Sequence, residues 1–335
     1  MKNIIIKTLA AIAIAVLAVA ITGCDSSGND SDMTEVSILQ IREHPALNAA
    51  RDGFINGLAD EGFIEGENIS FTTLNPHGDI SVANQMAQQI VDSEPDLILS
   101  IATPASQALR AATRELSSQP PVVITAVTDP YAAGLIYSFE RPGTNFTGTS
   151  DLTPVENQFL LLQRLLPHAG TVGIMYNAGE INSVIQADMA ANAARELGLN
   201  YIRATVTGTV DVAQVAEALV GDVDVVYTPT CNTIAEAMSL LVMIAAESAG
   251  IPVIAGERGG VALGALATEG IDYYQLGRQT ATMAAEILRG EINPEDMPIQ
   301  WQDMARTNTV INMTTAELLG IDIPDDILAD ADIIS

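Results

Sequence analysis

The chain has 335 residues, and 14 lysines and arginines stand against 42 aspartates and glutamates, a net charge of −28. A nucleic-acid surface needs a basic face, so this balance argues against that class. After Lys7 every basic residue is an arginine, so no later lysine is present to form a Schiff base. His44, His77 and His168 are far apart, and none stands at metal-ligand spacing with another, so no metal and no cofactor is expected.

Residues 1–23 read as an export signal. Lys2 and Lys7 give a positive start, 9–21 is apolar, and Ile21-Thr22-Gly23-Cys24 follows. This end resembles a bacterial lipobox, with Ile21 in place of the usual leucine. It implies lipidation of Cys24 as the first mature residue. The apolar run is short for a bilayer span. The expectation is an exported protein, held by its N-terminal lipid alone, at the outer face of the cytoplasmic membrane or in the periplasm. Residues 24–33 are rich in Ser, Asp, Gly and Asn and read as a tether. With Cys24 lipidated, Cys231 has no cysteine to pair with.

From 34 onward strands and helices alternate. The pattern predicts a strand over 36–41, a helix over 46–59, a strand over 69–74 and a helix over 81–93. The apolar run 97–102 is a buried strand. It stops at Thr103, read as an N-cap with Pro104 at the first helical position. Residues 105–114 continue as helix, and 121–127 form a strand ending in Thr128-Asp129-Pro130. Apolar strands in β-α-β order predict a parallel sheet covered on both faces. Residues 143–152 are polar, Gly-rich and extended.

The alternation then restarts. Helices are expected over 155–166, 184–197, 212–219 and 234–249, and strands over 171–176, 201–206, 223–227 and 252–255, with 177–183 a loop. Residues 265–268 and 298–310 are further extended segments. Helices over 274–289 and 314–319 complete the chain. Two α/β units joined by three extended crossings describe a two-lobed α/β fold. The lobes would comprise 34–148 plus 270–300, and 149–268 plus 305–335. Ligands of open α/β sheets bind beyond the carboxyl ends of the strands, and hinged closure buries them.

Several motifs recur in one family: Glu43-His44-Pro45-Ala46-Leu47, Ala102-Thr103-Pro104-Ala105, Val127-Thr128-Asp129-Pro130, Gly148-Thr149-Ser150-Asp151, Asn182-Ser183, Pro229-Thr230-x-Asn232-Thr233 and Gly270-Ile271-Asp272-Tyr273. In that ordered set the chain resembles the ABC-transporter substrate-binding lipoproteins that include the tryptophan-binding proteins. The resemblance implies a type I periplasmic-binding fold that delivers an amino acid, often aromatic, to an ABC permease. A monomer is expected. Position 231 is Cys where that family commonly carries Asp.

The candidate site follows from strand ends. Thr103, Ala105 and Ser106 offer a hydroxyl and helix-start N–H groups for a carboxylate. Thr128 and Asp129 extend that place, and Ser150 and Asp151 lie on the first crossing. Asn182, Ser183 and Asn232 offer short hydrogen-bonding groups from the second lobe. Glu257 ends a strand there, and its place resembles that of the acid meeting the ammonium group in related proteins. For Asp129 and Asp151 turn chemistry is the competing use. Tyr131, Tyr176 and Phe54 line a side-chain pocket or pack the core, and His44 borders the cleft or sits in a plain loop. No Gly-x-Ser-x-Gly, His-Glu-x-x-His or phosphate-loop motif is present, so no enzyme is expected. A ligand sensor docking to a membrane receptor, or a binder of another small molecule, are the alternatives the sequence leaves open.

Overall fold

The computed structural model describes residues 33–302 and 307–334. The expected export signal, the expected lipidation at Cys24 and the expected tether up to residue 32 lie outside the described residues.

Among the described residues the chain forms a six-stranded and a seven-stranded sheet. The first lobe holds β1 (Thr34–Gln40), β2 (Ile69–Leu74), β3 (Leu97–Ile101), β4 (Val122–Val127) and β5 (Phe146–Ser150). The second holds β6 (Thr171–Asn177), β7 (Asn200–Val206), β8 (Val225–Thr228), β9 (Val253–Ala255) and β10 (Ala267–Gly270). The chain returns to the first sheet as β11 (Gln300–Trp301) and ends in the second as β12 (Asn308–Asn312) and β13 (Asp332–Ile334). The spatial orders are β11-β5-β4-β3-β1-β2 and β13-β12-β10-β9-β8-β6-β7.

The first sheet is parallel throughout, and β3 and β4 are buried at every residue. That is why these strands read as unbroken apolar runs rather than alternating ones. The second sheet departs from a wholly parallel arrangement at its edge. There β12 runs antiparallel to β10, because it enters from the other lobe, and β13 pairs with β12.

Much of the expected extended crossings is sheet. Residues 146–150 are a strand of the first lobe, and 267–270 and 308–312 are strands of the second. The chain passes between lobes in the short pieces that follow: 151–154, 271–272, and the link from β11 to β12. No described helix is long and apolar enough to cross a membrane.

Local readings shift in three places. The helix Thr103–Thr113 begins at Thr103 itself, with Ala102 as its N-cap at φ 81° and ψ 152°. Thr103 is therefore not the cap. The turn is so sharp that the cap falls one residue earlier, where Ser106 N donates to Ala102 O at 3.1 Å. The helix Ile181–Glu196 takes in Asn182 and Ser183, residues expected in a loop from their turn propensity. Residues 234–249 are not one helix but Asn232–Glu236, Met238–Val242 and a π turn, Met243–Ser248, because Ala237 leaves helical geometry.

Two helices of the first lobe, Pro45–Asp60 and Tyr273–Leu288, pack along glycines. A Cβ on Gly53 would lie 2.0 Å from Tyr274 O, and one on Gly277 would lie 2.0 Å from Ala50 O. The second of these helices carries Tyr273, at the cleft, as its first residue.

Candidate functional site

The carboxyl ends of the two sheets face each other. Arg42 and His44 follow β1, Ala102 and Thr103 follow β3, Thr128 follows β4, and Asp151 follows β5. Opposite them stand Glu180 and Asn182 after β6, Thr230 to Asn232 after β8, and Glu257 after β9. The faces touch. Gln186 Nε2, on the helix Ile181–Glu196, donates to Thr128 Oγ1 at 3.1 Å. Its Oε1 accepts from Thr153 Oγ1 and from Thr230 N, each at 3.2 Å. Pro45 lies against Gly259, and Arg42 forms an ion pair with Glu236 of the other lobe.

One end of the cleft is acidic. Asp151 Oδ1 accepts from Thr128 Oγ1 at 3.0 Å, and Oδ2 accepts from Tyr273 OH at 2.7 Å. Burial raises the Asp151 pKa against the pull of those two bonds. Glu257 caps the short helix Arg258–Ala262, accepting from Gly259 N and, at 2.8 Å, from Gly260 N. Its side chain is buried, and burial pushes its pKa up to about 7; the two N–H groups oppose the shift and Asp151 adds to it. Burial first, then Asp151 and Glu257, hold the Tyr273 hydroxyl protonated. Among the described residues neither carboxyl takes part in an ion pair. A cavity of about 460 Å³ opens beside Glu257; Pro45, Ala46, Arg258, Tyr273 and Asp332 are among the residues that line it, and Asp151 is not. Two buried carboxyls with no cation between them are the complement of an ammonium group.

Other cleft groups are buried without a hydrogen-bond partner, Thr103 Oγ1 and Asn182 Oδ1, and the buried His44 ring has the Asn232 side chain beside it as a partner. Asn182 Nδ2 donates to Thr230 O at 2.8 Å, which leaves its oxygen unmet. Each such group costs about 1–3 kcal/mol when left unsatisfied. The backbone beside them is strained. Ala102 and Ala126 hold φ values of 81° and 56° at the ends of β3 and β4, a conformation that residues with a Cβ seldom adopt.

The residues expected from sequence fall into two groups. Thr103, Thr128, Asp151, Asn182 and Glu257 come together at the cleft. The others are held within their own lobe, except that the Asn232 side chain also reaches His44 of the first lobe. Asp129 Oδ1 accepts from Tyr131 N at 3.0 Å and Ala132 N at 2.9 Å, the Asx turn. Ser106 Oγ lies 2.7 Å from Ser100 Oγ and, like Ala105, is fully buried in the first helical turn. Ser150 Oγ donates to Thr128 O at 2.7 Å. Ser183 is fully buried beside the Cys231 thiol. Asn232 Nδ2 donates to Glu180 Oε2 at 2.7 Å. Of the aromatic residues, Phe54 and Tyr176 pack in the cores, and Tyr131 is exposed beside Phe139.

Sequence reasoning missed Glu180, Gln186 and Tyr273. Gln186 stands four residues after Asn182, on the same helical face, which is a usable signal. Tyr273 is itself part of the Gly270-Ile271-Asp272-Tyr273 motif, so its signal is already in the sequence. Glu180 explains the uncharged Cys231. Its carboxylate accepts from Asn232 N at 3.1 Å, Thr233 N at 3.0 Å and Thr233 Oγ1 at 2.6 Å. It therefore satisfies the start of the helix Asn232–Glu236 from a distance, while the buried Cys231 thiol, pushed up to about 12 mainly by burial, stays neutral.

With this geometry in hand, three comparisons bear on function. The family model described as ABC transporter substrate binding protein matches residues 35–334. A tyrosine-binding protein of Clostridioides difficile (strain R20291) is 36% identical over 325 residues, 93% of this chain and 92% of that protein. The crystal structure of an ABC domain in complex with L-Trp from Streptococcus pneumonia superposes with TM-score 0.85 at 33% identity, covering 90% of this chain and 100% of that one. The ligand-free, open structure of a substrate-binding protein with adhesive properties from Clostridium difficile gives 0.68 at 38% identity, covering 90% and 99%. The more identical chain superposes less well. The lobes here are thus set more like those of the L-Trp complex than those of the open form.

Proposed function

Because the chain belongs to the family of ABC transporter substrate-binding proteins, binding proteins and not enzymes, we propose that it captures an aromatic amino acid, as the zwitterion, between its lobes and hands it to the permease of an importer. The observation that carries this reading is the pair of buried, unpaired carboxyls, Asp151 and Glu257. They receive the ammonium group. Thr103 Oγ1 and the N–H groups at the start of its helix receive the carboxylate, with the positive end of the helix dipole behind them. The Trp- and Tyr-binding relatives support an aromatic side chain. Closure brings Gln186 onto Thr128 and Arg42 onto Glu236, so binding and lobe closure are one event.

Calorimetry of the ligand-free protein with the twenty amino acids tests the reading. Tryptophan or tyrosine is expected to bind, and solution scattering at saturation is expected to give a smaller radius of gyration. Binding of a sugar or nucleoside with no amino acid bound would overturn it.

The proposal includes an extracytoplasmic protein anchored through Cys24. Stable anchoring takes about two acyl signals, which a lipidated mature N-terminus supplies. Cys24→Ala is expected to leave an unprocessed or aqueous-phase product in detergent partitioning. A variant still carrying lipid at its N-terminus would sink the lipobox reading.

A further inference from the structure

The zwitterion reading leaves one buried group of the cleft without a task. His44 follows β1 and is 8% exposed; the Asn232 side chain acts on its ring as a hydrogen-bond partner, and neither ring nitrogen makes a closer bond. It is sandwiched between lobes. Asn232 of the second lobe stands beside it, Arg42 of the first lobe acts on it, and its neighbour Pro45 lies against Gly259. Burial, aided by Arg42 and opposed by Asn232, brings its pKa down to about 4. At neutral pH the ring is uncharged, with one N–H donor and one acceptor nitrogen.

The surrounding charges divide the cleft into two ends. Asp151 acts on Glu257 and Tyr273 at the acidic end. The charge acting on His44 is Arg42, which is paired with Glu236 and faces Glu180. An ammonium group is repelled from such a place, and a carboxylate finds no free positive charge there. A neutral group that gives or takes a hydrogen bond fits. A phenol hydroxyl can meet the ring nitrogen that Asn232 leaves open, and an indole N–H can meet it where that nitrogen is the acceptor.

We infer that His44 is the specificity-determining residue of the cleft, selecting aromatic amino acids whose ring bears an O–H or N–H and rejecting phenylalanine. This rests on the zwitterion reading above and goes further by naming which side chains are taken. A site built around hydrogen-bonding groups rejects the analogue that lacks the partner, because its own buried polar atoms are then left unmet.

Titration calorimetry with L-tyrosine and L-phenylalanine tests it. The wild-type protein is expected to bind tyrosine at least about tenfold more tightly than phenylalanine. His44→Leu should weaken tyrosine binding by about tenfold or more and leave phenylalanine within about threefold, so that the preference collapses. His44→Gln, which keeps a donor and an acceptor, should retain part of it. Equal affinities in the wild type would overturn the inference, as would an equal loss for both ligands in His44→Leu, because the ring would then read the common amino-acid core. If His44→Leu does not fold, the ligand side decides: 4-fluoro-L-phenylalanine keeps the ring and loses the hydroxyl, and its binding to the wild type as tightly as tyrosine would overturn the inference. If tyrosine, tryptophan and phenylalanine all fail to bind, the aromatic-ligand reading itself falls, and this inference with it.

Discussion

Glu257→Gln is expected to weaken binding of an aromatic amino acid by roughly 30-fold or more. Removing one partner of a buried, hydrogen-bonded charge pair costs roughly 2–5 kcal/mol, and each 1.4 kcal/mol is about tenfold in Kd. The amide retains one acceptor for the N–H groups of Gly259 and Gly260, so the helix Arg258–Ala262 keeps part of its cap. What it loses is the charge. An analogue without the amino group, such as an arylpropionate, should bind the wild type and the variant about equally. Glu291→Gln, at an exposed acid, serves as control, since exposed pairs are worth about 0–1 kcal/mol. Equal affinity of Glu257→Gln and wild type for tyrosine would remove Glu257 from the ammonium site.

The same carboxyl sets two opposite pH trends. With its pKa at about 7, the folded, ligand-free protein holds a proton that the unfolded chain has already released over the window between the ordinary carboxylate range and 7. The stability of the free protein therefore falls as pH rises through that window. Asp151, raised by burial as well, acts in the same direction. An ammonium ligand needs the ionised form, so its affinity should fall as pH drops below about 7, by up to about tenfold per pH unit for one proton. Melting curves and calorimetry over pH 5 to 8 would separate the two trends, and Glu257→Gln should flatten both.

The second large effect is structural. Gly277→Ala should destabilise the protein by about 3 kcal/mol or more, at or beyond the upper end of ordinary overpacking, and lower Tm by roughly 6 °C or more. The added Cβ would stand 2.0 Å from Ala50 O, 2.8 Å from Ala50 C and 2.9 Å from Phe54 N. These are backbone atoms of the facing helix and cannot swing aside, so the two helices must part. Tyr273 begins one of them and donates to Asp151, so ligand binding should weaken as well. Gly208→Ala, where a Cβ meets nothing within 4 Å, should be nearly silent. A Gly277→Ala protein that melts with the wild type would mean that this helix contact is softer than its geometry.

The two-lobed α/β arrangement is legible in the sequence because a strand buried on both faces is written as an unbroken apolar run, and each helix as a segment between turn residues. The family motifs mark the strand ends, and so Thr103, Asp151, Asn182 and Glu257 could be named without coordinates. Their roles could not. Asp129 and Asp151 are both aspartates beyond a strand of the same sheet, yet one closes an Asx turn and the other is buried under Tyr273. What separates them is tertiary packing: the first residue of the helix Tyr273–Leu288 and Thr128 close over Asp151, while Asp129 stays with its own loop. Glu180 reaches across 52 residues of sequence to cap the helix behind Cys231, and Gln186 reaches 58 to meet Thr128. The sequence by itself determined the elements, their order and the strand ends. The tertiary structure alone decided which polar groups are buried, partnered or left open, because burial and hydrogen bonding across a cleft depend on how two separately encoded sheets face each other, and no local periodicity records that.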